Sequence, residues 1–394
     1  MGKFLKYHVV RNMITLENGD WLKERDMGHR TISAGILLAG MLLLGASAVR
    51  GQAKAEEEAA KEEELFGALQ TFGTDAAADI LEKKQETVWS LMTPEERALS
   101  FLPGIICWGD SLTYGEEGDG VSFPQVLRER ITAELLEIPV INMGASGEDS
   151  ITIAGRSGGI PYIVAEDLVI PADTSEVPVV ISSEDGRRVV PGHRMDVGIN
   201  ECSIAGVTGT LTTLERVNPD TGYTFCRSEP GDELIVPAGT EIITGAAANY
   251  QNYLSIVYVG TNGGYDDYDD LIAQQNAIIA SRTENTDRYL IIGLTDGGRD
   301  ELAEYDAAMY AEYGDKYFNL REFLATSGMA WAGMEPTRED ELAKEAGVVP
   351  PSLVAEDGIH FNPKGYAVIG NAVYEKLDGL GYFDEAREAL GKSK

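Results

Sequence analysis

A serine hydroxyl becomes a nucleophile only when a neighbouring base takes its proton, and that base is most often histidine. The chain has four histidines. His8 and His29 precede an apolar segment and fall outside the expected folded part. His193 lies in a stretch dense in turn residues, and a surface or turn role is its simplest reading. Of the two that remain, only His360 has a carboxylate three residues before it, Asp357, that can orient its ring. The matching serine is Ser111, at the end of Ile105-Ile-Cys-Trp-Gly-Asp-Ser111. A short apolar run that stops at Gly reads as a buried strand feeding a tight turn. Such a turn holds its side chain at the strand's carboxyl end, where α/β sheets keep their ligands. Acyl transfer to Ser111, with His360 as base, is the chemistry these residues offer.

The surrounding pattern supplies elements to position them. From Gly104 the chain alternates short apolar strands with helical periods: strands at 105–108, 140–142, 254–259 and 289–294, helices at 123–136, 270–281, 301–313 and 363–377. Alternation of this kind predicts a mostly parallel sheet covered on both faces. It breaks between Pro161 and Gly245, a stretch rich in Val, Ile, Thr, Gly and Pro without a helical period. A βαβ unit needs about thirty residues, so the span from Gly147 to Asn262 has room for a small inserted all-β module.

Read together, four blocks resemble the SGNH (GDSL) hydrolase family: Gly109-Asp110-Ser111-Leu112, Asn142-Met-Gly-Ala-Ser146-Gly147, Gly260-Thr-Asn262 and Asp357-Gly-Ile-His360, in family order. The resemblance covers about residues 101–158 and 246–378. It implies Ser111 as nucleophile, His360 as general base and Asp357 as the group that steadies the imidazole. It also implies an oxyanion hole built from the Ser111 and Gly147 backbone N–H groups and the Asn262 side-chain amide. Gly144 competes with Gly147 for that role but does not align with the family block. One departure is Gly263, where the family usually carries Asp, which puts the geometry of that loop in question. The implied fold is a flavodoxin-like three-layer α/β/α core with a parallel sheet, interrupted by the β module and preceded by a signal or anchor helix.

The boundaries that follow are a tail at 1–30, a signal or membrane anchor at 31–49, a charged linker and helical segment at 50–100, core at 101–160, the module at 161–245 and core again at 246–394. The segment 31–49 is uncharged between Arg30 and Arg50 and ends in Ala46-Ser-Ala48. It suits an uncleaved anchor, a cleaved signal whose true start is Met27, or a buried helix. Either of the first two places the hydrolase outside the cytoplasm, with membrane contact through the N-terminal segment alone. A net charge of −33 argues against nucleic acid and anionic membrane surfaces as partners. No phosphate-cradling Gly spacing implies a nucleotide, and no cofactor or metal is expected; Tyr265-Asp-Asp-Tyr-Asp-Asp270 lacks any ligand spacing and reads as an acidic helix start. Cys107 reads as a small buried hydrophobe, whereas Cys202 and Cys226 could pair if exported. Trp331 and Met334 either line an acyl pocket or pack their loop onto the core.

The expected function is an extracytoplasmic serine esterase acting on a small-molecule or glycan ester, with O-acetyl groups of a glycan as one candidate. A lipase or lysophospholipase and an inert glycan-binding protein are the competing readings. The module's two attachment points, near Gly147 and Asn262, are expected at the mouth of the site. Its replacement by a short linker is expected to spare turnover of small esters.

Overall fold

The structure, a computed structural model, describes residues 88–192, 196–213, 222–283 and 286–393, together with three short strands nearer the N-terminus. The chain divides into two compact units, Met1–Thr93 and Pro94–Lys394. In the first, Val9–Val10, Met13–Thr15 and Trp21–Lys23 form a small antiparallel sheet, where the sequence reading has only a tail. The apolar segment 31–49 and residues 50–87 of the linker segment lie outside the described residues, while a helix at Pro94–Phe101 ends that segment. Among the described residues no helix is long and apolar enough to cross a membrane.

The second unit is built on five parallel strands: β1 (Ile105–Gly109), β2 (Val140–Gly144), β3 (Leu254–Tyr258), β4 (Tyr289–Ile292) and β5 (Tyr317–Phe318). They lie in the order β5-β4-β3-β1-β2 with every pairing parallel. Successive side chains of a strand point to opposite faces, and β1 shows the consequence. Ile105 and Cys107 join a core under α1 (Phe123–Glu134) and α5 (Pro363–Gly379). Ile106 and Trp108 join a second core under α2 (Ser150–Ser157), α3 (Tyr268–Ala280) and α4 (Ala303–Tyr313). A strand buried on both faces has to be apolar throughout, which is why this run reads as continuous rather than alternating.

The stretch 161–245 forms a separate antiparallel sheet of seven strands, from Tyr162–Val164 to Glu241–Ile243, with a two-stranded ribbon beside it. It has its own core, in which Tyr162, Val164, Ile204, Phe225 and Val236 are buried together with Ile151 of α2. The attachment points are not where the sequence places them. Helix α2 carries the chain back along the sheet, so the module leaves and returns at the amino ends of the strands. Arg282 marks that end, donating to the carbonyls of Ser157, Asn249 and Tyr250. The module nevertheless extends along α2 toward the other end, where the Val190 N–H donates to Thr152 Oγ1 at 3.2 Å and Arg187 pairs with Asp270 at 2.8 Å.

This packing also argues against the expectation that small-ester turnover survives replacement of the module. Its removal would bare Ile151, take the Tyr162 ring off Gly155, and leave the Thr152 carbonyl without the Tyr162 hydroxyl that donates to it at 2.5 Å. Each large apolar side chain stripped from a core costs about 1.5–3 kcal/mol. A chain with 161–245 replaced by a Gly/Ser linker should therefore lose folding cooperativity and small-ester turnover together, as thermal melts and a nitrophenyl acetate assay would show.

The cysteine pair is settled by register. Cys202 lies opposite Gly209, while Cys226 lies opposite Thr210 on the far side of the same intervening strand. Adjacent positions 209 and 210 point to opposite faces, so the two thiols sit two strands apart on opposite sides of the sheet and cannot bridge. All three cysteines are free.

Candidate active site

Register brings the loops of the site to one level. Gly109 of β1 pairs with Gly144 of β2 on one side and Tyr258 of β3 on the other. The chain therefore leaves three neighbouring strands side by side at their carboxyl ends, through Asp110-Ser111, Ala145–Gly147 and Val259–Asn262. The Ala145 N–H donates to the Gly109 carbonyl at 3.0 Å, closing the first two loops together. Ser111 opens a single helical turn, Ser111–Tyr114, that Asp110 caps by accepting from the Leu112 N–H at 2.9 Å. As the first helical residue, Ser111 presents an N–H with no partner inside the helix.

His360 arrives from the other end of the chain. His360 Nε2 lies 2.8 Å from Ser111 Oγ, and His360 Nδ1 lies 2.5 Å from Asp357 Oδ2. With Nδ1 donating to the carboxylate, Nε2 is left as the acceptor that faces the hydroxyl. The other Asp357 oxygen accepts from the Ile359 and His360 N–H groups, both at 3.0 Å. Although partial burial opposes ionisation, the imidazole and these two N–H donors hold the Asp357 carboxyl down at about 2. The turn is fixed from below by Asn362, which caps α5 and donates to the Ser352 and Val354 carbonyls.

The loops that carry Asn262 and Gly147 are tied to each other. The Asn262 Nδ2 group donates one hydrogen to the Glu148 carbonyl at 3.0 Å, which ties the third loop to the second and leaves its other hydrogen for a ligand. Gly147 sits at φ +79°, a conformation that glycine enters freely, and no described residue accepts from its N–H. Gly144 is excluded as the alternative donor because its N–H is taken by Asn142 Oδ1 at 2.9 Å. Its lack of a Cβ serves packing instead: a Cβ there would stand 2.1 Å from the Tyr114 nitrogen. Gly263, the departure from the family pattern, adopts φ +72°, and its carbonyl takes both the N–H and the hydroxyl of Ser150 at 2.9 Å. The loop is thereby anchored to the start of α2.

Beneath this loop is a buried ion pair that the sequence reading passed over. Arg156 and Glu148 are 0% and 4% exposed and 2.8 Å apart. Arg156 also donates to the carbonyls of Gly109 and Val197, both at 3.4 Å. One guanidinium thus joins the nucleophile strand, the Gly147 loop and the module. Burial pushes the Glu148 carboxyl up, and Arg156 opposes that rise. The signal was present in the sequence as a lone charge in an otherwise apolar helix, Ile151-Thr-Ile-Ala-Gly-Arg156.

Asp110 is the other buried acid of the site. Desolvation pushes it up to about 7, against its bond to Leu112 and the field of His360. A carboxyl that holds its proton more tightly when folded contributes stability in full below about 3.8 and loses it as pH rises through about 7. Asp110→Asn, which keeps the Oδ1 acceptor and carries no charge, should raise Tm at pH 8 by more than at pH 4.5. Equal shifts at the two pH values would show that no buried charge is being relieved.

Other residues marked from sequence have structural occupations. Asp267 caps α3 and Asp270 pairs with Arg187. Trp331 packs edge-on against Phe323 at 5.1 Å and Met334 rests on the first core. Cys107 is fully buried in β1, which pushes its thiol up. His193 lies outside the described residues. Among the described residues no cluster of three or more His, Cys, Asp or Glu could hold a metal ion.

No protein-family model matches the chain, and no curated protein matches it. Among solved structures, one described as "Peptidoglycan O-acetylesterase in action, 5 min" is similar with a TM-score of 0.32 and 13% identity, over 73% of this chain and 96% of that one.

Proposed function

We propose that this protein is a serine esterase of the SGNH type, with a flavodoxin-like core, that hydrolyses carboxylic esters through an acyl-enzyme on Ser111. The observation that carries the reading is the continuous chain Ser111 Oγ–His360–Asp357, with contacts of 2.8 and 2.5 Å. In the forward step Ser111 Oγ attacks the ester carbonyl while His360 Nε2 takes its proton. Asp357, ionised at any working pH, steadies the imidazolium. The carbonyl oxygen, now negative, lies among the Ser111 and Gly147 N–H groups and the free hydrogen of Asn262. Collapse expels the alcohol, which receives the proton from Nε2. Water then repeats the sequence against the acyl group and restores the serine. These residues accomplish the whole cycle by proton transfer and fixed dipoles.

The segment 31–49 supports an extracytoplasmic address, as a cleaved signal or an anchor, and that address together with the β module favours an O-acyl glycan as substrate. The test is a panel of O-acetylated glycans set beside nitrophenyl esters of increasing chain length. Turnover of the acetylated glycans and of the short ester supports the reading. A preference for long acyl chains would move it to a lipase, and binding without turnover would replace it with an inert glycan-binding protein.

A further inference from the structure

The reading of Ser111 and His360 as the reacting pair leaves one group beside them unexplained. Glu116 follows the Ser111 turn, its N–H donating to the Ser111 carbonyl at 3.1 Å and its own carbonyl accepting from the buried Tyr366 hydroxyl at 2.9 Å. These bonds fix the backbone and hold the side chain against the imidazole. Glu116 Oε2 stands 4.0 Å from His360 Nε2, the nitrogen facing Ser111 and not the one facing Asp357. That oxygen is buried and has no hydrogen-bond partner among the described residues. A buried acceptor without a partner is unfavourable in the free protein, and the side chain that carries it, 36% exposed, stands beside the nitrogen that serves the departing alcohol.

We propose that Glu116 selects the alcohol half of the ester, its partly exposed carboxylate accepting a hydrogen bond from a hydroxyl on the carbon next to the ester oxygen. The geometry follows from the step itself. The leaving oxygen takes its proton from Nε2 and so lies about 3 Å from it. In a gauche 1,2-diol the second oxygen lies about 3 Å from the first, close enough to reach the Glu116 carboxylate when the diol turns toward that side of His360. A neutral hydroxyl fits better than an ammonium group, because His360 is itself cationic while the alcohol departs and a second cation beside it would be repelled. An anionic alcohol is disfavoured by the same carboxylate and by the net charge of −33. The substrate class is therefore monoesters of vicinal diols, the arrangement found in sugars and in glycerol.

The experiment compares kcat/KM for 2-hydroxyethyl acetate with that for its methyl ether, 2-methoxyethyl acetate, in the wild type, Glu116→Ala and the shape-preserving Glu116→Gln. The wild type should prefer the free hydroxyl by about tenfold, Glu116→Ala should bring the ratio near one, and Glu116→Gln should fall between them. Glycerol monoacetate and a methyl 2-O-acetyl-xyloside, run beside them, tell which polyol benefits. If Glu116→Ala lowers both simple esters by the same factor, the carboxylate acts on His360 or on the fold, and the inference is overturned. An unchanged ratio in both variants overturns it as well. Ser111→Ala on 2-methoxyethyl acetate keeps the two claims apart. If it abolishes hydrolysis while the ratio ignores Glu116, the esterase reading stands and the selection of vicinal diols falls. A wild type inert on both esters brings down both.

Discussion

Ser111→Ala should lower kcat on nitrophenyl acetate by about 10⁴-fold or more, with melting behaviour that matches the wild type. The size of the loss follows from how a nucleophile and its base act as a unit: removing one member costs nearly as much as removing all, and what remains comes from the oxyanion donors and binding. The fold should be indifferent for a local reason. The Ser111 hydroxyl contacts His360, while the capping bond of that turn runs from the Leu112 N–H to Asp110 Oδ1 and the turn's close depends on Gly115. Deleting the hydroxyl opens little cavity and leaves Nε2 near solvent, where water can serve it. Retention of more than a few per cent of wild-type kcat, in protein melting at the same temperature, would remove Ser111 from the mechanism. Loss of folding together with activity would mean the turn depends on the hydroxyl for its shape.

What could be read from the sequence and what could not divide along a physical line. The strands and helices of the core announce themselves because their apolar periods are local, and β1, α1, α3, α4 and α5 lie within a few residues of the expected spans. Strand β5, two residues long, and α2, whose apolar face is interrupted by Arg156, carry too weak a period to be seen. The residues proposed for the chemistry could be picked out for a different reason: each stands at the end of a strand or just before a helix, where the backbone offers its N–H groups. Residues that matter through what they touch across the fold were not legible. Glu148 and Arg156 are eight positions apart and meet only because the loop after β2 folds back on α2. The module's point of attachment was misread because the sequence reading did not give the intervening segment a helix, and a helix reverses which end of the sheet the chain departs from. Whether Cys202 and Cys226 pair is a question of strand register, which two residues' positions in the chain do not encode.

The second large effect belongs to that buried pair. Arg156→Met should cost about 3–5 kcal/mol of stability, the usual loss when one partner of a buried ion pair is removed and the other is left without compensation. The sign of its pH dependence can be stated. Burial already pushes the Glu148 carboxyl up, and Arg156 is the chief influence holding it down. Without the guanidinium, folded Glu148 holds its proton to higher pH than the unfolded chain does. The variant should therefore be closest to wild type in acid and lose stability progressively as the pH rises. Adding Glu148→Gln removes the buried charge, so the double variant should recover much of the loss and flatten the pH dependence. Recovery should not extend fully to catalysis. Arg156 also donates to the carbonyl of Gly109, one residue before Asp110 and two before the nucleophile, and Glu148 immediately follows Gly147. With these contacts gone the Gly147 N–H and the Glu148 carbonyl that orients Asn262 are less tightly placed, and the donors they supply to the oxyanion act at the transition state. The double variant should thus show kcat reduced by more than KM changes, measured well below its melting temperature. Additive stability losses from the two substitutions would show that the pair is not coupled, and full recovery of kcat would show that the pair supports the fold without placing the oxyanion loop.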